Sequence, residues 1–156
     1  MSGENKLPDS ESMKKTLTHW IGELHRHAPD TIGDILRFQL AECNAEAGEY
    51  SFLVETEPWM RNAFGSLHGG IIATMLDQGM GMLSTCLTGG EKLTPSVQLN
   101  IAFQRPMVAG KQVLLKVYVE SMTRMLIHMR GEAFQDKLCA TGAGIFFVKP
   151  SDEENR

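Results

Sequence analysis

The chain has 156 residues, enough for one domain with a buried core. Its formal net charge of −4 disfavours nonspecific binding to nucleic acid, which attracts basic surfaces. The first residues are too polar for a signal peptide, and no apolar run is long enough to span a bilayer. We therefore expect a cytoplasmic protein that binds neither nucleic acid nor a membrane.

The three cysteines lie far apart, with no CxxC spacing and no matching histidine pairs. They are Cys43, Cys86 and Cys139. This pattern indicates reduced, buried thiols in place of disulfides or a zinc site. We expect no metal and no cofactor.

The two ends of the chain are polar, and residues 1–10 and 151–156 are predicted to be disordered tails around a single domain at 11–150. From Met13 to Leu24, apolar residues recur at helical spacing. They predict an amphipathic helix over about 11–28, which ends before Pro29 and packs against the rest of the domain. Strands are predicted at 35–43 and 50–56, with a hairpin turn between them.

A long apolar segment predicts a central helix over 69–87, buried nearly all round. Four segments with alternating apolar residues follow, at 97–103, 113–119, 125–134 and 138–148, and Pro106 ends the first of them. The order of elements predicts an α+β domain, in which an antiparallel sheet of about six strands wraps round the central helix.

Asp77 lies in the middle of the central helix among apolar neighbours, with no basic residue within one turn. Aspartate is unfavourable inside a helix, and burying its charge without a partner costs several kcal/mol. Asp77 therefore faces water, a partner elsewhere in the fold, or a functional site.

The start of the same helix carries Gly69 and Gly70 directly after His68. Backbone N–H groups in a first helical turn have no intrahelical partner, and glycine lets a ligand approach them closely. Such a terminus suits an oxyanion that develops on a carbonyl, or a phosphate. The patterns GxxxxGK[ST] and GxGxxG are absent, which argues against nucleotide phosphates. His68 alone is also compatible with a simple helix-entry role.

Eight residues separate Gly69 from Asp77, or about 12 Å along a helix axis. Both groups would need to lie within about 3.5 Å of one carbonyl to act on it together. If both serve acyl transfer, one copy of the helix cannot provide both. A two-fold dimer, in which Gly69 of one chain faces Asp77 of the other, is the simplest solution.

The motif and the order of elements resemble the hot-dog fold acyl-CoA thioesterases of the phenylacetate-pathway type, and also thioesterase superfamily members. The resemblance covers about 35–148 and rests on Asn62, His68-Gly69-Gly70, Asp77 and Ser96. It implies that the Gly69 N–H is the oxyanion donor and that Asp77 of the opposite subunit is nucleophile or general base. It also implies that Asn62 positions the carbonyl or water, that Ser96 steadies the attacking water, and that His68 holds the loop.

The implied reaction is hydrolysis of a small, medium-chain or aryl acyl-CoA to the free acid and CoA. Gly70 and basic residues are candidate contacts to CoA, although solvated surface charge explains each basic residue equally well. These basic residues are Arg61, Arg105, Lys111, Arg124 and Arg130. A non-catalytic acyl-CoA binding protein is the alternative, and a hot-dog hydratase or dehydratase is less favoured because its motifs are missing. Dimers could pair further into tetramers through the sheet face that bears Lys116, Tyr118 and Glu120.

Overall fold

The computed structural model describes residues 7–27, 29–90 and 92–150. Three α-helices and six β-strands are present in these residues. In chain order they are α1 (Ser10–His27), α2 (Ile32–Ile35), β1 (Gln39–Asn44), β2 (Glu49–Val54), α3 (Gly69–Leu87), β3 (Ser96–Phe103), β4 (Val113–Met122), β5 (Leu126–Gln135) and β6 (Lys137–Phe147). Short 3-10 turns occupy Ala45–Ala47 and Pro58–Met60.

The six strands form one antiparallel sheet in the order β1-β2-β4-β5-β6-β3. Helix α3 packs on one face of this sheet, against β3, β4, β5 and β6. Alternate residues of β5 point toward the helix and are buried, as the period of a strand requires. This arrangement confirms the predicted α+β hot-dog architecture with an additional N-terminal helix.

Glycines at the contact between α3 and the sheet allow the two layers to approach closely. A methyl group built on Gly79 would lie 2.4 Å from Cδ2 of Leu115 in β4. From the sheet side, a methyl group on Gly131 would lie 2.7 Å from Cδ2 of Leu76. Any larger residue at either position would push the helix away from the sheet.

Helix α1 packs across α3 and β1, and Met13 and Leu17 are buried there. Its observed range is close to the predicted one, and the predicted packing of this helix against the domain is confirmed. The predicted central helix and the four strands after it are also found, with small differences at their ends. The hairpin turn between β1 and β2 is present, and Gly48 adopts a left-handed φ of 69° in it.

Two details of the prediction are wrong. The first strand does not begin at residue 35, because Ile35 ends α2, Arg37 has a left-handed φ of 43°, and the strand begins only at Gln39. Helix α3 is not buried nearly all round, because one stripe along it stays accessible in the single chain. Asp77, Gln78 and Gly81 lie on that stripe.

The predicted disordered tails fall largely outside the described residues, at 1–6 and 151–156. Residues 7–9 have no regular secondary structure, and Leu7 packs against the core. Within the described ranges, no helix combines the length and the apolar character needed to cross a bilayer.

Candidate active site

Asp77 lies half-buried on the accessible stripe of α3. Its Oδ1 atom is buried, and none of the described residues forms a hydrogen bond with it. The side chain lines a cavity of about 590 Å³, and Ser96 at the start of β3 lines the same cavity. The structure therefore brings together the acid and the serine that the sequence analysis singled out.

A chain of hydroxyl groups fixes the segment that leads into Ser96. Ser84 donates to the Gly81 carbonyl at 2.8 Å, so its only proton is used there. Thr94 must then donate to Ser84 at 2.6 Å, and Thr85 must donate to Thr94 at 2.8 Å. Ser84 and Thr94 are buried, so these hydrogen bonds tie the segment before β3 to α3 and fix the start of β3, where Ser96 lies.

The first turn of α3 is built by His68. Its backbone is extended, with ψ 132°, and its Nδ1 accepts a hydrogen bond from the Gly70 N–H at 2.9 Å. A methyl group on Gly70 would lie 3.0 Å from this Nδ1, so glycine leaves room for the imidazole. His68 is thus the N-cap of the helix, and the Gly69 N–H has no hydrogen-bond partner among the described residues.

Asn62 organises the loop that precedes His68. Its Nδ2 donates to the Ser66 hydroxyl, and its Oδ1 accepts from the N–H groups of Phe64 and Ser66. Its backbone N–H also donates to the Ser66 carbonyl at 2.8 Å. In this structure the Asn62 side chain shapes the approach to the helix start.

Gly69 and Asp77 lie at two different places along β3. The ring of Phe103, at the end of β3, lies 3.5 Å from where a Gly69 methyl group would be, whereas Asp77 lies with Ser96 at the start of the strand. Eight residues of α3 separate Gly69 from Asp77, or about 12 Å along the helix axis. A single chain therefore does not bring the free Gly69 N–H to the Asp77 carboxylate.

The basic candidates are dispersed. Arg61 forms a β-bridge with Leu67 near the start of α3, and Arg105 follows the end of β3, where its Nη1 donates to the Leu138 carbonyl at 2.7 Å. Arg124 lines a separate cavity at the other end of α3. Arg130 is on the sheet face away from α3, paired with Glu132 and Glu120.

Three residues that line the Asp77 cavity were not predicted from the sequence to belong to a functional site. Trp20 and Leu24 reach it from α1, and Lys149 reaches it from the segment after β6. The helical spacing of Trp20 and Leu24 predicts a packed face but does not show what it packs against. Lys149 is distant in sequence and belongs to no motif.

The cysteines carry free thiols in the described structure. Cys86 and Cys139 are buried, and Cys43 is half-buried. Burial raises the pKa of the Cys86 thiol to about 12, so this group stays protonated near neutral pH. A protonated thiol is a poor nucleophile.

Comparisons with known proteins agree with this fold. The family model for the Thioesterase superfamily matches residues 64–139, a segment that contains His68, Gly69, Asp77 and Ser96. A solved structure of the phenylacetic acid degradation-related protein of Ralstonia eutropha JMP134 is 25% identical, with a TM-score of 0.71, and the match covers 83% of this chain and 99% of that one. Residues 64–139 of the chain therefore resemble the thioesterase superfamily.

Two further solved structures share the fold of this thioesterase at lower identity. The E. coli PaaI protein from the phenylacetic acid degradation operon is 15% identical, with a TM-score of 0.74 over 92% of this chain and 98% of that one. A Streptococcus mutans UA159 protein bound to acetyl-CoA is 20% identical, with a TM-score of 0.63 over 73% of this chain and 90% of that one. No curated protein matches the chain. The resemblance to phenylacetate-type hot-dog thioesterases is confirmed, and the chain is a thioester hydrolase.

Proposed function

We propose that this thioesterase hydrolyses acyl-CoA thioesters, with a small, medium-chain or aryl acyl group, to the free acid and CoA. The observation that carries the proposal is the unpartnered Oδ1 of Asp77, whose side chain lines a cavity with mainly apolar walls that Ser96 also lines. A buried carboxylate oxygen without a hydrogen-bond donor can accept a hydrogen bond from water or substrate. The acetyl-CoA held by the Streptococcus mutans structure supports CoA as the leaving group.

The proposed chemistry uses Asp77 and the Gly69 N–H on opposite sides of one thioester carbonyl. The ionised Asp77 either attacks the carbonyl carbon to form an anhydride or removes a proton from an attacking water. The carbonyl oxygen becomes negative in both routes, and the Gly69 N–H stabilises it at the positive end of α3. The C–S bond then breaks and the CoA thiolate leaves. In the anhydride route a water then hydrolyses the anhydride, which releases the free acid and restores Asp77. In both routes the proton given up by the water passes to the CoA thiolate. Ser96 steadies the attacking water beside Asp77.

A two-fold dimer supplies the geometry that one chain lacks. Strand β3 is an open edge of the sheet, and Val97 and Phe103 on it are 60% and 56% exposed. Open, apolar edge strands favour pairing with another strand. Antiparallel pairing of two β3 strands about their midpoint would place Ser96 and Asp77 of one chain opposite Phe103 and Gly69 of the other. Two composite sites result.

The positions of the basic residues favour two of them as contacts to CoA phosphates. Arg61 and Arg105 flank the start of α3, where the CoA part of a substrate would approach Gly69 and Gly70. Lys111, Arg124 and Arg130 lie elsewhere, and Arg130 already has two carboxylate partners. His68 and Asn62 act in this proposal by holding the helix start and its loop.

The decisive experiment compares two single substitutions that remove different groups from the site. Asp77→Asn keeps the shape of the side chain and removes its basicity, so we expect turnover of acyl-CoA to fall by at least about a hundredfold. Gly69→Pro replaces the N–H with the Cδ of a pyrrolidine ring. The helix tolerates this change because proline is favoured at the first helical position and His68 already has the extended backbone that precedes proline. We expect this variant to lose about a hundredfold or more in kcat.

Gly69→Ala is the matched control, because it keeps the N–H and its methyl group would lie 3.5 Å from the Phe103 ring, an ordinary contact. It should retain more activity than Gly69→Pro. The measurement is steady-state hydrolysis of aryl and straight-chain acyl-CoAs. Near-normal turnover by Asp77→Asn would disprove the proposal, and tight binding of acyl-CoA without hydrolysis by the unmodified protein would favour the non-catalytic alternative.

A further inference from the structure

We infer that Trp20 of α1 closes the far end of the acyl pocket, which Leu24 lines one turn later on the same helix, and that Trp20 sets the length of acyl chain that the enzyme accepts. The inference rests on the proposed function, because it assumes that the acyl group enters the Asp77 cavity. Both residues line that cavity, although they are more than fifty positions away from Asp77 in the sequence.

The cavity runs along α3 away from the acid. Asp77, Gly81 and Thr85 line it on successive turns of the helix. The distance from Asp77 to Thr85 along the axis is about 12 Å. Gly81 has no side chain, so the floor of the cavity stays open between the other two residues.

Trp20 lies at the far end of this path. The Gly90 N–H donates to the Thr85 carbonyl at 2.9 Å, so Gly90 marks the end of the helix. A methyl group on Gly90 would lie 2.4 Å from Nε1 of the Trp20 indole, and Gly90 has a left-handed φ of 79°. Only glycine combines this backbone conformation with room for the indole. The contact therefore holds Trp20 against the end of α3.

A second cavity, of about 720 Å³, lies on the other side of the same two residues. Its lining includes Trp20, Leu24, His19, Gly89 and Gly90. Trp20 and Leu24 are the residues that line both cavities, so they form the wall between the acid-containing inner cavity and this outer cavity. Removal of the indole should join the two spaces.

The dimensions give the chain length at which the wall matters. Three bonds of an extended chain advance about 3.3–3.6 Å, so a distance of about 12 Å corresponds to roughly ten bonds. A decanoyl chain would extend as far as the indole, and a palmitoyl chain would be too long for the space in front of it. We therefore expect the unmodified enzyme to prefer medium chains to long ones.

Trp20→Ala tests whether Trp20 limits the acyl chain length. The measurement is the ratio of kcat/KM for palmitoyl-CoA to kcat/KM for decanoyl-CoA, compared with that of the unmodified enzyme. We expect the ratio to rise by about tenfold or more, because each extra methylene that finds an apolar environment contributes substantially to discrimination. Trp20→Leu, which keeps an apolar contact with α3, should raise the ratio less and serves as a second variant if the alanine variant folds poorly. His19→Ala is the matched control on the same helix, since His19 lines the outer cavity without lining the inner one. An unchanged ratio in both folded Trp20 variants, or an equal rise in His19→Ala, would overturn the inference.

A binding measurement separates this inference from the proposed hydrolysis. The chain has two tryptophans, so Trp59→Phe leaves Trp20 as the only indole reporter. Titration with S-decyl-CoA, a thioether that cannot be hydrolysed, should change the emission of Trp20, whereas CoA alone should not. No change with S-decyl-CoA would overturn the inference even if acyl-CoA hydrolysis is confirmed. A change in an enzyme that hydrolyses no acyl-CoA would support the pocket and refute the proposed reaction.

Discussion

Two side-chain oxygens, Oδ1 of Asp77 and the hydroxyl of Tyr50, are buried without a hydrogen-bond partner among the described residues. The first lies in a side chain that lines the candidate substrate cavity, where a ligand can satisfy it. Tyr50 on β2 is 2% exposed, and burial together with nearby Cys43 and Glu46 raises the pKa of its hydroxyl well above the usual range. A protonated donor without an acceptor lowers stability.

We predict that Tyr50→Phe leaves the free energy of unfolding unchanged or raises it by up to about 1 kcal/mol, because the substitution removes an unsatisfied group and keeps the ring. Tyr118→Phe is the control, since the Tyr118 hydroxyl donates to Glu132 at 3.1 Å. That variant should lose up to about 1 kcal/mol. Urea unfolding measures both. A loss in Tyr50→Phe as large as in the control would show that the Tyr50 hydroxyl does have a partner.

At the scale of elements, α3 combines two requirements that its sequence must satisfy together. One side of the helix packs closely on the sheet, and the other carries the acid into a cavity. Gly79 belongs to the packed side and Gly81 to the cavity side, although they are two residues apart. Because their surroundings differ, alanine substitutions at the two positions distinguish the effect of packing on stability from the effect of helix propensity.

Gly79→Ala should destabilise the protein by about 1–3 kcal/mol, because its methyl group would lie 2.4 Å from Leu115, which is fully buried and has no free space to move into. This cost exceeds the gain of about 0.5–1 kcal/mol from replacing glycine inside a helix. Gly81→Ala should show that gain instead, because its methyl group would lie 3.5 Å from the Phe146 ring. Unfolding curves for the two variants test this. Equal effects at both positions would contradict the close approach of α3 to β4.

At the scale of the whole molecule, the exposed apolar residues mark a surface that a single chain leaves open. Val97 and Phe103 lie on the edge strand β3, and Phe64 is 96% exposed in the loop before the start of α3. Exposed apolar surface of this kind favours association. The proposed dimer covers the edge of the sheet and at the same time completes the site.

We predict that mixed subunits of Gly69→Pro and Asp77→Asn recover activity that neither variant has alone. In a mixed dimer, one composite site would contain both substitutions and the other would contain neither. Random mixing should therefore restore about a quarter of the unmodified activity, since half of the dimers are mixed and each has one intact site. The measurement is acyl-CoA hydrolysis after joint unfolding and refolding.

The matched control mixes Asp77→Asn with Ser96→Ala. Asp77 and Ser96 line the same cavity of one chain, so each site of a mixed dimer keeps one of the two defects. This mixture should show no more activity than its parents. If the first mixture also fails to exceed its parents while dimers exchange, the site is not shared between chains.

The sequence by itself determined the order of the six strands, the N-terminal and central helices, and the separation of Gly69 from Asp77, because these follow from local periodicity and helix geometry. It also predicted four of the β-strands closely, since their alternation reflects one buried face. It did not predict the short helix α2. The start of β1 was predicted wrongly, because nothing in the sequence around Arg37 indicates its left-handed backbone conformation. Only the tertiary structure decided which other residues come together: Trp20 and Lys149 line one cavity with Asp77, Phe103 lies beside Gly69, and Trp20 lies over Gly90. These contacts join residues far apart in the chain, and long-range packing has no counterpart in the local patterns that a single sequence displays.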